Sequence, residues 1–250
     1  RIVIATGSRP AVPAIPGLET VAYFTNETIF ENSVLPKHLI IIGGGAIGME
    51  LAQAHRRLGS AVTVIEAFTP LAKDDPELAA VVLESLRRDG VKIFAETAIK
   101  KISKAKPGIA IETAGHGKIT GSHLLVATGR AANVEGLNLE AAGVVYTAKG
   151  VTVDKGLRTS QKHIYAIGDV AGGLQFTHVA NYHAGLVIRN ALFRLPVSNR
   201  SDIIPHVTFS EPELAQVGFT EAQALKDYGP SIKVVRWPFL DNDRAQAEGK

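Results

Sequence analysis

Aliphatic runs, polar stretches and glycine stops divide this chain into alternating elements. The unbroken run Leu39-Ile40-Ile41-Ile42 offers no polar position to solvent, so it predicts a strand buried on both faces. Residues 46–58 then read as a helix that stops at Gly59. Ala61-Val62-Thr63-Val64-Ile65 returns as a β-branched strand. Asp75-Pro76 opens a second helix, with Asp as N-cap and Pro in the first turn. Leu78, Val82 and Leu86 recur at i, i+4 and i+8 and predict its inward stripe, and Gly90 ends it. Val91–Phe94 reads as a strand, residues 99–113 as two short alternating strands around Pro107-Gly108, and Leu124–Ala127 as a further buried strand.

The remaining segments are less regular. The chain opens on Arg1–Gly7, which reads as the inside of a buried strand, and Arg9–Gly17 is a proline-rich connector, because proline has no N–H to give to a ladder. Gly150–Asp154 and Ile164–Asp169 read as strands and residues 180–194 as a helix. After Pro196 the texture changes, with strands expected at Pro205–Ser210 and Lys233–Trp237 and a short helix at Glu221–Tyr228 capped by Thr220. A boundary is placed near residue 199. The opening within a strand, and the ending from Asn242 onward without a closing element, read as an internal piece of a longer protein. One internal echo stands out: a strand ending in Ala5-Thr6-Gly7 recurs as Ala127-Thr128-Gly129.

Composition narrows the classes. With 46% hydrophobic and 20% charged residues, the 250-residue chain can bury a sizeable core and is not globally disordered. A net charge of +3 without a dense Lys/Arg stripe argues against a nucleic-acid partner. No apolar run reaches the ~18 residues of a membrane span. The chain has no cysteine, which excludes disulfides, thiolate metal sites and cysteine nucleophiles within these residues and fits a reducing, cytoplasmic setting.

The chemistry concentrates after the first buried strand. Gly43 permits a tight turn, Gly45 lets backbone approach a pyrophosphate, and Gly48 lets the helix pack on the strand. The helix start, at Ala46 and Ile47, offers free N–H groups and a partial positive charge to phosphates. Glu66 follows at the end of the next strand, where an acid can accept from adenosine ribose hydroxyls. That choice favours NAD over NADP, since a 2′-phosphate would meet a like charge. The bland alternatives are an empty glycine-rich turn and an ordinary exposed acid. His178 and His183 are five apart and do not share a helix face as a zinc pair would, and no metal site is expected. Lys100, Lys101, Lys104 and Lys106 read as a solvated hairpin.

Five blocks in order resemble the pyridine nucleotide–disulfide oxidoreductases, the two-dinucleotide flavoproteins: Ala5-Thr6-Gly7, the turn from Gly43 to Glu50, Ala127-Thr128-Gly129-Arg130, Ala166-Ile167-Gly168-Asp169, and Phe209-Ser210-Glu211-Pro212-Glu213 with Val217-Gly218. The resemblance implies an α/β fold in which a Rossmann-like NAD(P)-binding domain is inserted in an FAD-binding domain. Residues 1–10 would end the first FAD segment, 11–130 form the NAD(P) domain and 131–198 the second FAD segment. Residues 199–250 would begin an α+β dimer interface domain of a homodimer. It also implies an enzyme that passes hydride from NAD(P)H to flavin and on to a small-molecule or protein-bound disulfide. The redox cysteine pair would precede residue 1.

Site roles follow from the same resemblance. Glu50 would lie near the nicotinamide–flavin contact, although a glutamate there is also a common surface partner of a helix N-terminus. Asp169, after Gly168, would accept from the FAD ribityl hydroxyls, although Asp also caps turns. Thr177, His178, Val179 and Ala180 would start a helix facing the flavin, and Thr6, Gly7, Ala98, Gly129 and Arg130 would add cofactor contacts. Two other classes stay open: a flavin reductase that uses no disulfide, and a non-enzymatic nucleotide-binding scaffold on the same fold.

Overall fold

The computed structural model describes residues 1–106 and 108–248; Pro107, expected at a hairpin turn, lies outside them, as do Gly249 and Lys250. Along the chain, β1 (Ile2–Ile4), β2 (Ser8–Pro10), β3 (Phe24–Thr25) and β4 (His38–Ile42) precede α1 (Ala46–Arg57). Then come β5 (Ala61–Ile65), α2 (Pro76–Arg88), β6 (Lys92–Phe94), β7 (Ile99–Ala105), β8 (Gly108–Thr113), β9 (Gly117–Gly121), β10 (His123–Val126) and β11 (Arg130–Ala132). The rest of the first compact unit, Arg1–Gly218, holds β12 (Tyr146–Thr147), β13 (Gly150–Val151), β14 (Ile164–Ala166), α3 (Thr177–Ala191), β15 (His206–Thr208) and β16 (Leu214–Gln216). The second unit, Phe219–Lys250, holds α4 (Glu221–Tyr228) and α5 (Asp243–Glu248).

A five-stranded sheet in the order β3-β10-β4-β5-β6, with every pairing parallel, forms the centre. Its aliphatic strands are buried on both faces because each face has its own cover. Leu39 and Ile41 of β4 pack with Met49, Ala52, Val82 and Leu86 of the helices. Ile40 and Ile42 pack with Ile102, Ile109 and Ile111 of the antiparallel meander β7-β8-β9. Alternation along one strand thus feeds two cores.

The echo between the two Ala-Thr-Gly segments becomes a physical crossing. β2 and β11 pair antiparallel just beyond them. Each threonine hydroxyl then donates to the other strand's continuation, Thr6 to the Asn133 carbonyl at 2.8 Å and Thr128 to the Ala11 carbonyl at 2.6 Å. Two chain crossings are stapled together by the same three-residue solution used twice.

Several expectations need correction. Leu78 is 46% exposed; Val82 and Leu86 face inward as expected, and Ala79, three residues before Val82, takes the place of Leu78 in the inward stripe of α2. The opening strand is not buried: Ile2 and Val3 are 53% and 45% exposed, since β1 pairs only with β14 in a two-stranded sheet. Lys233–Trp237 has the alternation of a strand but forms none; among the described residues the second unit contains no strand to pair with it. The meander has a third strand, Gly117–Gly121, beyond the two expected. The strand expected at Gly150–Asp154 stops at Val151, and Ile164–Asp169 yields a strand only to Ala166 before a 3-10 turn begins at Gly168. The helix expected over 180–194 runs from Thr177 to Ala191, and the start of the expected connector, Arg9-Pro10, belongs to the short strand Ser8–Pro10. For the strands, pairing partners invisible in a local pattern set these limits.

Candidate functional site

The first site forms where β4 ends. Gly43 has φ +109°, and a Cβ on it would lie 2.3 Å from the Ala127 carbonyl oxygen, so the turn tolerates no side chain. A Cβ on Gly48 would lie 2.0 Å from the Gly43 oxygen, so α1 sits directly against the turn. Gly45 differs: its φ of −77° suits any residue, and a Cβ there would meet nothing within 4 Å. None of the described residues beyond its chain neighbours comes within 4 Å of that position. Gly45 is the N-cap of α1 and makes no side-chain cap, so the N–H groups of the first turn, Ala46–Gly48, have no capping side chain.

Glu66 faces this turn. Its carboxylate accepts from the Gly44 N–H at 2.6 Å and from the Phe68 N–H at 2.8 Å, which holds it at the strand end without a cation. Ala98 is exposed beside Thr97, whose N–H donates to the Glu66 carbonyl at 2.8 Å, so it sits at the same end of the sheet. Gly129 follows β10 with φ +110° and open space at its Cβ position.

The second site is a cavity of about 520 Å³. Ala5, Gly7, Arg130, Gly168, Asp169, Thr177 and Ala180 line it, together with Ile47 from the first turn of α1. Asp169 is anchored within it, accepting from the Ser8 hydroxyl at 2.5 Å and lying 3.8 Å from Arg130. Arg130 in turn donates to Ser8 Oγ at 2.6 Å and pairs with Glu27 at 3.3 Å. Phe176 is the N-cap of α3, and this helix too begins without a side-chain cap.

Other expected residues lie around this cavity rather than in it. The Thr6 hydroxyl serves the strand crossing. His178 has its Nε2 2.8 Å from the Pro205 carbonyl oxygen and stacks on Phe176. Val179 is buried in the core. Glu50 is half-buried on α1, and its Oε1 accepts from the Phe209 N–H at 2.8 Å. Burial pushes this carboxyl above its ordinary value, and the Phe209 bond opposes that shift. One turn on, buried Gln53 grips Glu211 twice, accepting from its N–H at 2.7 Å and donating to its carbonyl at 3.0 Å. Gln53, Ser8 and Asn26 were not singled out by any local pattern; Gln53 and Ser8 find their partners far away along the chain. Among the described residues no cluster of three or more His, Asp or Glu could hold a metal ion, and no helix is long and apolar enough to cross a membrane.

Comparison with known proteins adds a second line of evidence. Residues 1–184 match the family model described as pyridine nucleotide-disulphide oxidoreductase, and residues 204–250 match its dimerisation domain. A mercuric reductase from Acidithiobacillus ferrooxidans is 38% identical over 230 residues, covering 91% of this chain and 41% of that protein. A dihydrolipoyl dehydrogenase from Bacillus subtilis is 34% identical over 256 residues, covering 100% of this chain and 56% of that protein. The Cu(II) complex of the HOCl-induced flavoprotein disulfide reductase RclA from Escherichia coli superposes with a TM-score of 0.91 at 33% identity. That match covers 100% of this chain and 57% of the other. The chain therefore spans roughly half the length of the proteins it resembles.

Proposed function

Because the chain belongs to the pyridine nucleotide-disulphide oxidoreductase family, we propose that it is the cofactor-binding part of an FAD-dependent enzyme. That enzyme passes hydride from a nicotinamide nucleotide to flavin and on to a small-molecule or protein-bound disulfide, or a similar acceptor. The observation that carries this reading is the meeting of both sites at one cavity: Ile47, beside the glycine turn, lines the same space as Gly168, Asp169 and Thr177. When bound, FAD supplies the two-electron chemistry; the chain supplies position and charge.

The residues divide the work by their chemistry. Gly43, Gly45 and Gly48, with the N–H groups of Ala46 and Ile47, seat the pyrophosphate of the nicotinamide nucleotide. Glu66 accepts from the adenosine ribose hydroxyls, and Ala98 borders the adenosine end. Thr6, Gly7, Gly129, Arg130 and Gly168 shape the FAD side, where Asp169 accepts from ribityl hydroxyls. The start of α3 turns the N–H groups of Thr177 and His178 toward the flavin ring, while those of Val179 and Ala180 donate to the Phe176 carbonyl at 3.1 and 3.2 Å and fix that first turn. Glu50 acts at the nicotinamide–flavin contact, and its half-burial supports that role. NADH is the preferred donor: two like charges 4 Å apart near a protein surface cost about 4 kcal/mol, and neither Ala67 nor Phe68 offers a cation to offset it.

The segments follow the same reading: residues 1–10 and 131–198 belong to the FAD domain, 11–130 to the NAD(P) domain and 199–250 to the dimer interface. A homodimer is supported by the dimerisation match and by the exposed Val235, Trp237, Phe239 and Leu240. A cytoplasmic site of action fits a chain without cysteine. Anaerobic titration of the full-length protein with NADH, read by flavin absorbance, tests the whole. Stoichiometric bleaching at lower NADH than NADPH is expected. Flavin that neither nucleotide bleaches overturns the function; bleaching by NADPH first overturns the role of Glu66.

A further inference from the structure

His183 lies on α3 and is only 4% exposed. Its Nδ1 is 3.1 Å from the backbone nitrogen of Gly168. A backbone N–H can only donate, so Nδ1 must present a lone pair and the ring is neutral with its proton on Nε2. Burial favours the same state, lowering the pKa of the imidazole against a smaller opposing effect of the Asn199 side chain.

The Gly168 amide has no obvious alternative. Gly168 opens the 3-10 turn Gly168–Ala171, and the first N–H groups of such a turn have no partner inside it. The residue is itself buried, so an unpaired N–H there would be costly. Its backbone is also tightly constrained. Gly168 has φ +67°, and a Cβ on it would lie 3.1 Å from the Ala180 Cβ, one turn before His183 on the same helix. α3 therefore holds this turn by steric fit at Ala180 and by a hydrogen bond at His183. The next residue is Asp169, whose carboxylate lines the cavity and is tied to Ser8 and Arg130.

We propose that His183 is a positioning residue for the FAD site: its Nδ1 holds the Gly168 amide so that Asp169 is presented to the cavity. The proposal rests on the reading of that cavity as the FAD site. His183 does not line the cavity and acts only through the turn.

The test is FAD affinity of the full-length apoprotein in wild type, His183→Asn, His183→Gln and His183→Leu, read by flavin fluorescence. Asn places an acceptor oxygen near the position of Nδ1. Gln places its oxygen near Nε2, and Leu has no acceptor. Wild type and His183→Asn should agree within about threefold, with His183→Gln and His183→Leu at least about tenfold weaker. NAD affinity at the glycine turn, measured by calorimetry, should be the same in all that fold. Equal FAD affinity in Asn and Gln variants, whether both retained or both lost, overturns the role of the Nδ1 acceptor. That comparison also decides the matter if the Leu variant fails to fold. A wild-type protein that binds no FAD overturns the reading of the cavity itself, an outcome distinct from the first.

Discussion

Helices α1 and α3 begin without a side-chain cap, whereas α2 and α4 begin with one. Asp75 accepts from the Glu77 N–H at 3.0 Å at the start of α2. Thr220 and Gln223 form a reciprocal capping box at the start of α4. At α1 the N-cap is Gly45 and at α3 it is Phe176, a residue that can cap nothing. Every helix leaves N–H groups unsatisfied at its start. On the proposed reading, a chain that caps α2 and α4 with side chains, and leaves the starts of the two helices reaching the cavity without one, keeps donors there for its cofactors. Local rules are broken where a ligand is to be bound.

The sharpest way to break this comparison is Gly45→Val. The position has an ordinary φ and empty space around it, so the fold should lose no more than about 3 °C in Tm, while the side chain fills the approach to the open N–H groups. NADH affinity by calorimetry should fall about 100-fold, as expected for losing charge-assisted backbone hydrogen bonds. Unchanged affinity would mean that nothing binds at this helix start. Asp75→Ala asks the opposite question of α2. Removing a self-satisfying cap should cost about 1 kcal/mol, or about 3 °C in Tm, and leave NADH affinity untouched. If Asp75→Ala weakened NADH binding instead, capped and uncapped helices would not differ in purpose.

The two sites also differ in how far the sequence revealed them. The glycine turn and Glu66 sit within one β-α-β unit, so local spacing carried all of their signal. The cavity is built from segments far apart in the chain; Ser8 and Asp169 are 161 residues apart when they bond. Arg130 and Asp169 were legible only through resemblance, and Ser8 and Asn26 not at all. His183 was judged by helix-face spacing to His178, a test for a metal pair, and its true partner is a backbone amide. The same limit governs the fold. The aliphatic strands of the central sheet were legible because burial on both faces excludes polar residues. Lys233–Trp237 misled because alternation states which face is apolar but not whether a partner strand exists.

Glu50 gives the smallest and most discriminating effect. Its charge at neutral pH is expected to cost the folded chain stability. Burial raises its carboxyl above the ordinary value of 4.5, with the Phe209 N–H opposing the rise. A raised folded-state pKa means that the folded chain binds the proton more tightly than the unfolded chain. The group therefore adds stability below its unfolded value, and this is lost as pH rises through the folded value. Glu50→Gln keeps an oxygen for the Phe209 N–H and removes the charge. At pH 8 its Tm should exceed that of wild type, and at pH 3.5 the two should converge. Because the carboxylate is only half-buried, solvent screens it and the gain should stay under about 3 °C. A stabilised Gln variant that also slows flavin bleaching by NADH would show that the charge is retained for the reaction and against the fold. A Tm at pH 8 below that of wild type would show that the ionised group stabilises α1, and Glu50 would then belong with the capped helices.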